Sequence, residues 1–339
     1  MKILRWLLFP FSQLYVLVMA IRNFMFDIGF LEQKQYPVQI ISVGNLSTGG
    51  TGKTPFIEHL IELIPEEKKV AVLSRGYGRR TKGFVLADEH ATAESIGDEP
   101  FQIVKKYGDQ VLVAVAEKRR VGVEHLLGLE HKPEIILLDD GFQHRWVKRD
   151  LNILLTSYDQ PFFNDLTLPT GNLRETRFEA KRADMVVVTK CPQLYPSDKE
   201  HYEKQIKGLA GDVALLFSTI AYGEVAYAFG QKKLSNKEVI ILAGIANPNP
   251  FIKFLDKQYQ IQDQLIFSDH HAFTVLELDK LNVKLSENSF PIITTEKDMV
   301  RLLMFKEHDL FKQHELFYLP ISMKIDNEEL LSRQVMKHF

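Results

Sequence analysis

The chain has 339 residues, of which 45% are hydrophobic and 25% are charged, and its formal net charge is -2. This composition is typical of a globular protein with well-filled cores, the length favours two domains, and the near-zero charge gives no general reason to expect nucleic-acid binding. The one cysteine, Cys191, excludes an internal disulfide and a zinc site of four thiolates, and it suits a reducing cytoplasm.

The N-terminal segment is the most apolar part of the sequence. Residues 6–21 form a run of 16 without a charge; as a helix it would reach about 24 Å, short of the ~30 Å hydrocarbon core of a membrane. A signal peptide, a buried core helix and a helix lying in the membrane interface are the three interpretations. We favour the interfacial helix because the aromatic residues of the run suit the headgroup boundary and basic residues flank it.

Short β-branched apolar runs recur from residue 38 onward. Such runs are typical of strands buried on both faces of a parallel sheet. Helical stretches at 55–64 and 117–128 lie between some of them, and this alternation predicts a doubly wound, mostly parallel α/β fold. The predicted strands cover 38–43, 69–74, 110–115, 134–139, 151–156 and 184–189, and then 213–218, 238–244, 260–267, 291–295 and 316–321.

A glycine-rich loop joins the first predicted strand to the first predicted helix. The sequence GNLSTGGTGKT at 44–54 matches a phosphate-binding loop except that Ser47 replaces the first glycine, and Gly44 could make the tight turn instead. Loop N–H groups and the helix N-terminus would bind phosphate oxygens, Lys53 would reach the β- and γ-phosphates, and the Thr54 hydroxyl would ligate Mg²⁺. The predicted nucleotide-binding residues are Ser47, Thr48, Gly49, Gly50, Thr51, Gly52, Lys53 and Thr54.

Two carboxylates follow the fourth predicted strand. Asp139 and Asp140 end the run EIILLDD, at the edge of the sheet where ligands bind in open α/β folds. One of them could hold Mg²⁺ directly or through water. Guanine recognition is disfavoured because Pro192 stands where an Asp would have to follow Thr189-Lys190. The pattern therefore predicts a P-loop NTPase-like core and disfavours GTP as its nucleotide.

The acceptor side of the site is less sharply defined. Asp98 lies where a helix would start, so it could cap that helix or act as a base. His270 and His271 follow a strand of the second set, and an Asp near a His is a plausible general-base pair. Metal binding by adjacent histidines is disfavoured because neighbours in an extended loop point apart. Basic clusters at 74–80, 117–120 and 172–177 suit an anionic acceptor in a lipid layer.

Seven motifs resemble the tetraacyldisaccharide 4'-kinase family of lipid A synthesis. Over 44–302 they occur in the order GNLSTGGTGKTP, SRGYGR, GDEP, LLDDGFQHR, GNLRE, FSDHHAF and TTEKDMVRL. The resemblance implies ATP- and Mg²⁺-dependent phosphorylation of the 4'-hydroxyl of a tetraacylated glucosamine disaccharide 1-phosphate, giving lipid IVA. It also implies two α/β/α lobes across a cleft, attachment by the N-terminal helix to the cytoplasmic face of the bacterial inner membrane, and no obligate protein partner.

The resemblance also implies a role for single residues. Asp98 would be the base, His270 rather than His271 would orient and polarise it, and Lys53 would assist transfer. The magnesium residues would be Thr54, Asp139, Asp140 and Glu175. The substrate-binding residues would be Arg75, Arg119, Arg120, Gln143, His144, Asn172 and Arg174. Many relatives have Pro or another residue where this chain has Asn172.

The expected organisation has three parts: a membrane-associated helical segment at 1–36, a kinase core at 37–222 and a second, smaller α/β domain at 223–339. An alternative function is that of a nucleotide-switched, membrane-associating ATPase of the partition or septum-positioning type. It shares the GGTGKT loop and an apolar helix, but it requires a Lys where this chain has Thr48. A second lobe with its own candidate His also argues against it.

Overall fold

Two sheets with helices on their faces make up the protein. The computed structural model describes residues 5–287 and 289–337. In chain order the strands are β1 (Gln39–Asn45), β2 (Val70–Ser74), β3 (Val85–Leu86), β4 (Val111–Val115), β5 (Ile135–Asp139), β6 (Leu151–Ser157), β7 (Met185–Thr189), β8 (Ala214–Tyr222), β9 (Ala226–Tyr227), β10 (Glu238–Ala243), β11 (Gln260–Ile266), β12 (Ile292–Thr295), β13 (Leu316–Leu319) and β14 (Ile321–Ile325).

The helices differ widely in length, and three short 3₁₀ segments accompany them at Phe162–Asn164, Arg177–Arg182 and Leu303–Phe305. The α-helices are α1 (Phe9–Asp27), α2 (Lys53–Leu63), α3 (Ala93–Ile96), α4 (Asp98–Tyr107), α5 (Arg119–Leu127), α6 (Pro196–Ala210), α7 (Asn249–Leu255), α8 (Val275–Leu285), α9 (Glu296–Leu302), α10 (Asp309–Gln313) and α11 (Glu328–Met336).

The larger sheet has the strand order β14-β8-β7-β6-β1-β5-β2-β4-β3. Its neighbours from β8 to β4 are parallel, and the edge strands β14 and β3 are antiparallel. Because β1 lies beside β5 with Val43 opposite Asp139, the glycine-rich loop and the acidic pair leave the sheet side by side. The predicted doubly wound, mostly parallel fold is confirmed.

The smaller sheet has the strand order β11-β10-β12-β13-β9, with only β9 antiparallel. The predicted strand at 316–321 is divided by Pro320, which has no N–H for a sheet ladder. β13 therefore ends in the smaller sheet, while β14 pairs with β8 of the larger one. Leu331 and Val335 of α11 join the core under that sheet. The chain thus returns to the first lobe at its end, whereas the expectation assigned 223–339 throughout to the second.

The N-terminal helix α1 exposes most of its apolar side chains and buries polar ones, the opposite of an ordinary surface helix. It buries Ser12 and Asn23 against the protein, whereas Leu17 and Ile21 are 56% and 51% exposed. The Ser12 hydroxyl bonds to the main-chain oxygen of Thr167 at 3.2 Å. By length and composition alone, α1 is the one helix in the described ranges that could cross a membrane.

Candidate active site

Three side chains contact main-chain carbonyl oxygens of the glycine-rich loop. Asn45 Nδ2 lies 3.4 Å from the carbonyl oxygen of Gly49, Lys190 Nζ donates to that of Gly50 at 2.5 Å, and Thr189 Oγ1 donates to that of Thr51 at 2.8 Å. Three consecutive carbonyl oxygens are thus turned toward the protein. We call these three side-chain contacts the loop brace. Holding the carbonyls on one side leaves the loop free to present N–H groups to an anion on the other.

Glycine is required in this loop where the backbone is left-handed. Gly49 and Gly52 have φ angles of +122° and +81°, a region that other residues rarely adopt. Gly44 does not make the turn expected of it: it lies within β1, and a Cβ there would come within 2.6 Å of the Phe142 main-chain nitrogen. Its role is therefore to admit the Phe142 backbone.

The first part of the loop is tethered. Ser47 forms a bridge with Leu173, and the Thr48 N–H donates to the Asn172 carbonyl oxygen at 2.7 Å. Ser47 and Thr48 are therefore held by the 172–173 segment, and residues 49–54 form the open part of the loop. The N–H groups of Lys53 and Thr54 open α2, and the first turn of a helix leaves such donors without an intrahelical acceptor.

The acidic pair lies directly beside this loop. Asp139 is 2% exposed, and its Oδ2 accepts a hydrogen bond from Ser74 Oγ at 2.9 Å. Asp140 adopts φ +52°, and its Oδ2 lies 2.7 Å from Arg174 Nη1 while its Oδ1 lies 3.5 Å from Lys53 Nζ. Burial alone would raise the pKa of Asp140, but Lys53 and Arg174 outweigh it and lower that pKa. Asp140 is thus held ionised.

Burial raises the pKa of Asp139 to about 6, and the Glu99 carboxylate adds to the rise. Oδ1 of Asp139 and Oδ1 of Asp140 are buried without a hydrogen-bond partner in the described part of the chain. Buried carboxylate oxygens normally have a partner, so both are available to a cation. Magnesium commonly takes one or two carboxylates and completes its shell with phosphate and water. The pair therefore fits a magnesium ion shared with a nucleotide.

That ion would depend on ligands from outside the protein. Among residues 5–287 and 289–337, no group of three or more His, Cys, Asp or Glu side chains could hold a metal. Glu175, expected in the magnesium shell, is 1% exposed and its carboxylate bonds to Arg182 and Asn23. Arg22 Nη1 is 3.7 Å away. The carboxylate is thus already neutralised where α1 meets the core, and the structure gives its magnesium role no support.

The candidate base is held from the second lobe. Asp98 is the first residue of α4 and makes no capping bond; Gly97 occupies the cap position. Instead Arg301 Nε of α9 donates to Asp98 Oδ2 at 2.6 Å, and Arg301 Nη2 lies 3.1 Å from His270 Nδ1. His270 Nδ1 is 4.0 Å from the same Asp98 oxygen. The expected Asp98–His270 pair is therefore bridged by an arginine that sequence reasoning missed.

Arg301 is itself fixed by a buried carboxylate. Its Nη1 donates to Asp298 Oδ1 at 2.9 Å, and Asp298 is 0% exposed. Asp298 Oδ2 accepts hydrogen bonds from the Gly244 N–H at 2.8 Å and from Thr295 Oγ1 at 2.7 Å. Only the motif TTEKDMVRL, already noted as a family feature, could have drawn attention to Arg301 in the sequence.

The two adjacent histidines point to different surroundings. His270 adopts φ +57° and its Nε2 is 2.9 Å from Lys297 Nζ. Burial lowers the pKa of His270, and the Lys297 charge lowers it further. His271 instead stacks on Phe267 and lies 3.2 Å from a Glu277 oxygen. The structure thus separates the two rings and places only His270 beside Asp98.

The residues around Asp98 contact the second lobe and lie near the acidic pair. Lys297 Nζ of the second lobe lies 3.7 Å from a Glu99 oxygen in α4. Burial raises the pKa of Asp139, and the carboxylate of Glu99, the residue next to Asp98, adds to the rise. Asp98 and Glu99 therefore lie at the contact between the two lobes, near the acidic pair.

The expected substrate residues divide into two groups. Arg119 is 2% exposed and donates to the main-chain oxygens of Ala116 and Asp139, so it supports the acidic turn; burial lowers its pKa to about 10. Burial also lowers the pKa of His144 to about 3. His144, Arg119 and Arg120 line a cavity of about 440 Å³. Arg75 is exposed at the carboxyl end of β2.

The remaining expected substrate residues contact the loop or the acidic pair. Gln143 Nε2 donates to the Asn45 carbonyl oxygen at 2.8 Å. The Asn172 side chain donates to Asp165 at 3.0 Å, and Arg174 holds Asp140 as described above. These contacts hold the backbone and side chains of the loop and of the acidic pair in position. A direct role of these side chains in substrate binding stays a prediction.

Comparison with known proteins identifies the family. The family model for tetraacyldisaccharide-1-P 4'-kinase (LpxK) matches residues 4–339. The chain belongs to the tetraacyldisaccharide 4'-kinase family. A tetraacyldisaccharide 4'-kinase of Flavobacterium psychrophilum is 45% identical over 346 residues, covering 100% of this chain and 98% of the relative. One of Bacteroides fragilis is 44% identical over 339 residues, covering 96% and 89%.

A solved structure is similar over the same extent. The crystal structure of the "apo" form of LpxK from Aquifex aeolicus in complex with ATP has a TM-score of 0.78 and 32% identity, and the match covers 99% of each chain. The predicted family and its kinase class are thereby confirmed. Membership in the 4'-kinase family also decides against the switch ATPase of the partition type.

Proposed function

We propose that the protein transfers the γ-phosphate of ATP to the 4'-hydroxyl of a tetraacylated glucosamine disaccharide 1-phosphate, forming lipid IVA. The observation that carries the proposal is a braced phosphate loop with an acidic pair beside it, near Asp98, which Arg301 of the second lobe holds. Family membership supplies the reaction class. The ATP complex of the Aquifex aeolicus relative supports ATP as the donor.

The donor side binds and neutralises the triphosphate. N–H groups of residues 49, 50 and 52–54, at the N-terminus of α2, would surround its oxygens, whereas the Thr51 N–H already donates to the Gly49 carbonyl oxygen at 3.1 Å. Lys53 lies beside Asp140, from where it would contact the β- and γ-phosphates. Asp139, Asp140 and the Thr54 hydroxyl would hold Mg²⁺, which when bound supplies positive charge to the phosphates. Arg174 keeps Asp140 in place through its ion pair.

The acceptor side removes one proton. The oxygen of the 4'-hydroxyl bonds to the γ-phosphorus while Asp98 accepts the proton of that hydroxyl. The bond between the γ-phosphorus and the oxygen that bridges it to the β-phosphate breaks, and ADP leaves. The Arg301 contact occupies Oδ2 of Asp98, so Oδ1 is the oxygen offered to the acceptor. A positioned base of this kind contributes roughly 10²–10⁴-fold to the rate.

The helix α1 suits a lipid acceptor. Its outward face carries Leu14, Leu17, Val18, Ile21 and Phe24, each more than half exposed. Burying such a face in a lipid layer removes it from water, and clusters of Lys and Arg nearby favour an anionic surface. We place the protein at the cytoplasmic face of the bacterial inner membrane, with α1 in the interface.

Phosphoryl transfer tests the proposal directly. Purified full-length protein is incubated with γ-³²P-labelled ATP, Mg²⁺ and the tetraacyldisaccharide 1-phosphate in detergent micelles. The expected result is a labelled lipid that co-migrates with lipid IVA. Folded protein that binds ATP but transfers no label would overturn the proposal. Dimerisation on size exclusion only when ATP is added, again without transfer, would favour the switch ATPase.

A further inference from the structure

We propose that Trp146 and its apolar neighbours form a second membrane contact beside the end of α1. This inference rests on the proposed interfacial position of α1. Trp146, Ile28 and Phe30 are 42%, 59% and 75% exposed, and we call them the Trp146 patch. Ile28 and Phe30 directly follow α1, whereas Trp146 lies more than a hundred residues later in the chain. The sequence alone therefore does not place it at the membrane.

The Trp146 segment is fixed to α1. The Trp146 ring packs edge-on against the Phe26 ring, with centroids 4.9 Å apart. Next to it, Arg145 Nη2 donates to the Asp27 carboxylate at 2.7 Å and Nη1 donates to the Asn23 carbonyl oxygen at 3.1 Å. Arg145 is 5% exposed, although the Asp27 side chain it pairs with is 44% exposed, so the arginine is fixed against α1 by both bonds. When α1 binds a membrane, Trp146 is therefore brought to the membrane together with it.

The depth of α1 sets the depth of Trp146. An interfacial helix buries its apolar face about 5–10 Å into the boundary between headgroups and acyl chains. A helix with its side chains is about 10–12 Å across, so residues that pack on its inner face lie at headgroup level. Trp146 is such a residue because it packs on Phe26, which is buried. The amphipathic indole ring is enriched at this depth.

The charges near the Trp146 patch select an anionic phospholipid surface. Glu124 is shared by two cations: Lys34 Nζ is 2.6 Å away and Arg120 Nε is 3.6 Å away. Lys148 donates to the neutral Gln35 amide at 3.2 Å and is exposed. With Arg145, which pairs with Asp27, the four cations outnumber by one the three carboxylates around the patch, Glu124, Asp27 and the exposed Glu32, and each Lys or Arg near an anionic membrane surface adds to its attraction.

Tryptophan fluorescence tests the contact without disturbing it. The chain has two tryptophans, so Trp6→Phe leaves Trp146 as the only indole and Trp146→Phe leaves Trp6. Each variant is mixed with vesicles of phosphatidylglycerol and phosphatidylethanolamine. We expect the emission of Trp146 to shift to shorter wavelength and to be quenched more by headgroup-labelled lipid than by lipid labelled at the chain end. In affinity measurements Trp146→Ala should weaken vesicle binding about tenfold and Trp146→Phe much less.

The outcomes separate this inference from the proposed function. A response from Trp6 but none from Trp146 would overturn the Trp146 contact and leave the interfacial role of α1 intact. No response from either tryptophan would overturn both membrane contacts. An equal response of Trp146 to vesicles of phosphatidylcholine alone would overturn the anionic preference. Labelled lipid IVA in the micelle assay remains a separate test of the kinase.

Discussion

Removing one hydroxyl of the loop brace should weaken ATP binding. Thr189 is 0% exposed, and its Oγ1 donates to the Thr51 carbonyl oxygen at 2.8 Å. Thr189→Val keeps the shape of the side chain but leaves that carbonyl without its donor. In the free protein the carbonyl can turn toward water, but ATP binding requires it to turn back. We therefore expect the cost to fall on affinity.

A buried polar group left unsatisfied costs about 1–3 kcal/mol. At about 1.4 kcal/mol per tenfold in affinity, Thr189→Val should weaken ATP binding roughly 5- to 150-fold. Calorimetry with a non-hydrolysable ATP analogue measures this change. Lys190→Met should have a smaller effect, because Lys190 is exposed and water can replace its bond to Gly50.

A matched control is available in the second lobe. Thr294 is also 0% exposed and lies in β12, but its hydroxyl has no hydrogen-bond partner within the described residues. Thr294→Val makes the same chemical change without losing a bond, so ATP affinity should stay at the wild-type level. Equal ATP affinity for Thr189→Val and Thr294→Val, with both variants folded, would refute the positioning role of the loop brace.

Three further perturbations test other parts of the protein. Arg301→Met should lower kcat about 10- to 100-fold with little change in KM for ATP, because the bonds of Arg301 orient Asp98 rather than the loop. Arg301→Lys should recover part of the lost kcat. An equal loss of ATP affinity in steady-state kinetics would contradict this role of Arg301. Burial raises the pKa of Glu58 from 4.5 to about 7, so the folded state holds a proton that the unfolded state releases. Stability should therefore fall as pH rises from about 4.5 to 7, by up to about 3 kcal/mol, and Glu58→Gln should remove that slope in urea unfolding; an unchanged slope would contradict the assignment. Leu17→Asp should reduce sedimentation with anionic vesicles while Val283→Asp, at a site 75% exposed in the second lobe, should not; equal loss in both would argue against α1 as the anchor.

Local patterns in the sequence predicted most of the larger sheet. The apolar runs at 134–139 and 151–156 correspond to β5 and β6. They were recognisable in the sequence because parallel strands buried on both faces are continuous apolar runs. The sequence also predicted that the loop and Asp139 would meet, because parallel strands end at one edge of the sheet. These inferences need only nearby residues and a general rule of topology.

The parts that the sequence did not predict depend on distant contacts. Arg301 reaches Asp98 across 203 positions of the chain, and Thr189 reaches Thr51 across 138. Glu175 looked like a metal ligand beside its motif neighbours, yet folding brings it to Asn23 and Arg182. No periodicity or spacing within one segment specifies such pairs. Thr189 therefore carried no visible signal of this role, and Arg301 was marked only by its place in the motif TTEKDMVRL.

The central claim is that Asp98 acts in the chemical step from the far side of the nucleotide. Asp98→Asn preserves the size of the side chain and its contact with Arg301 while removing the base. We predict that transfer of labelled phosphate to the lipid disaccharide falls roughly 10²–10⁴-fold, while the Kd for ATP changes less than about threefold. Transfer at the wild-type rate, or a loss of ATP affinity as large as the loss of rate, would contradict the account.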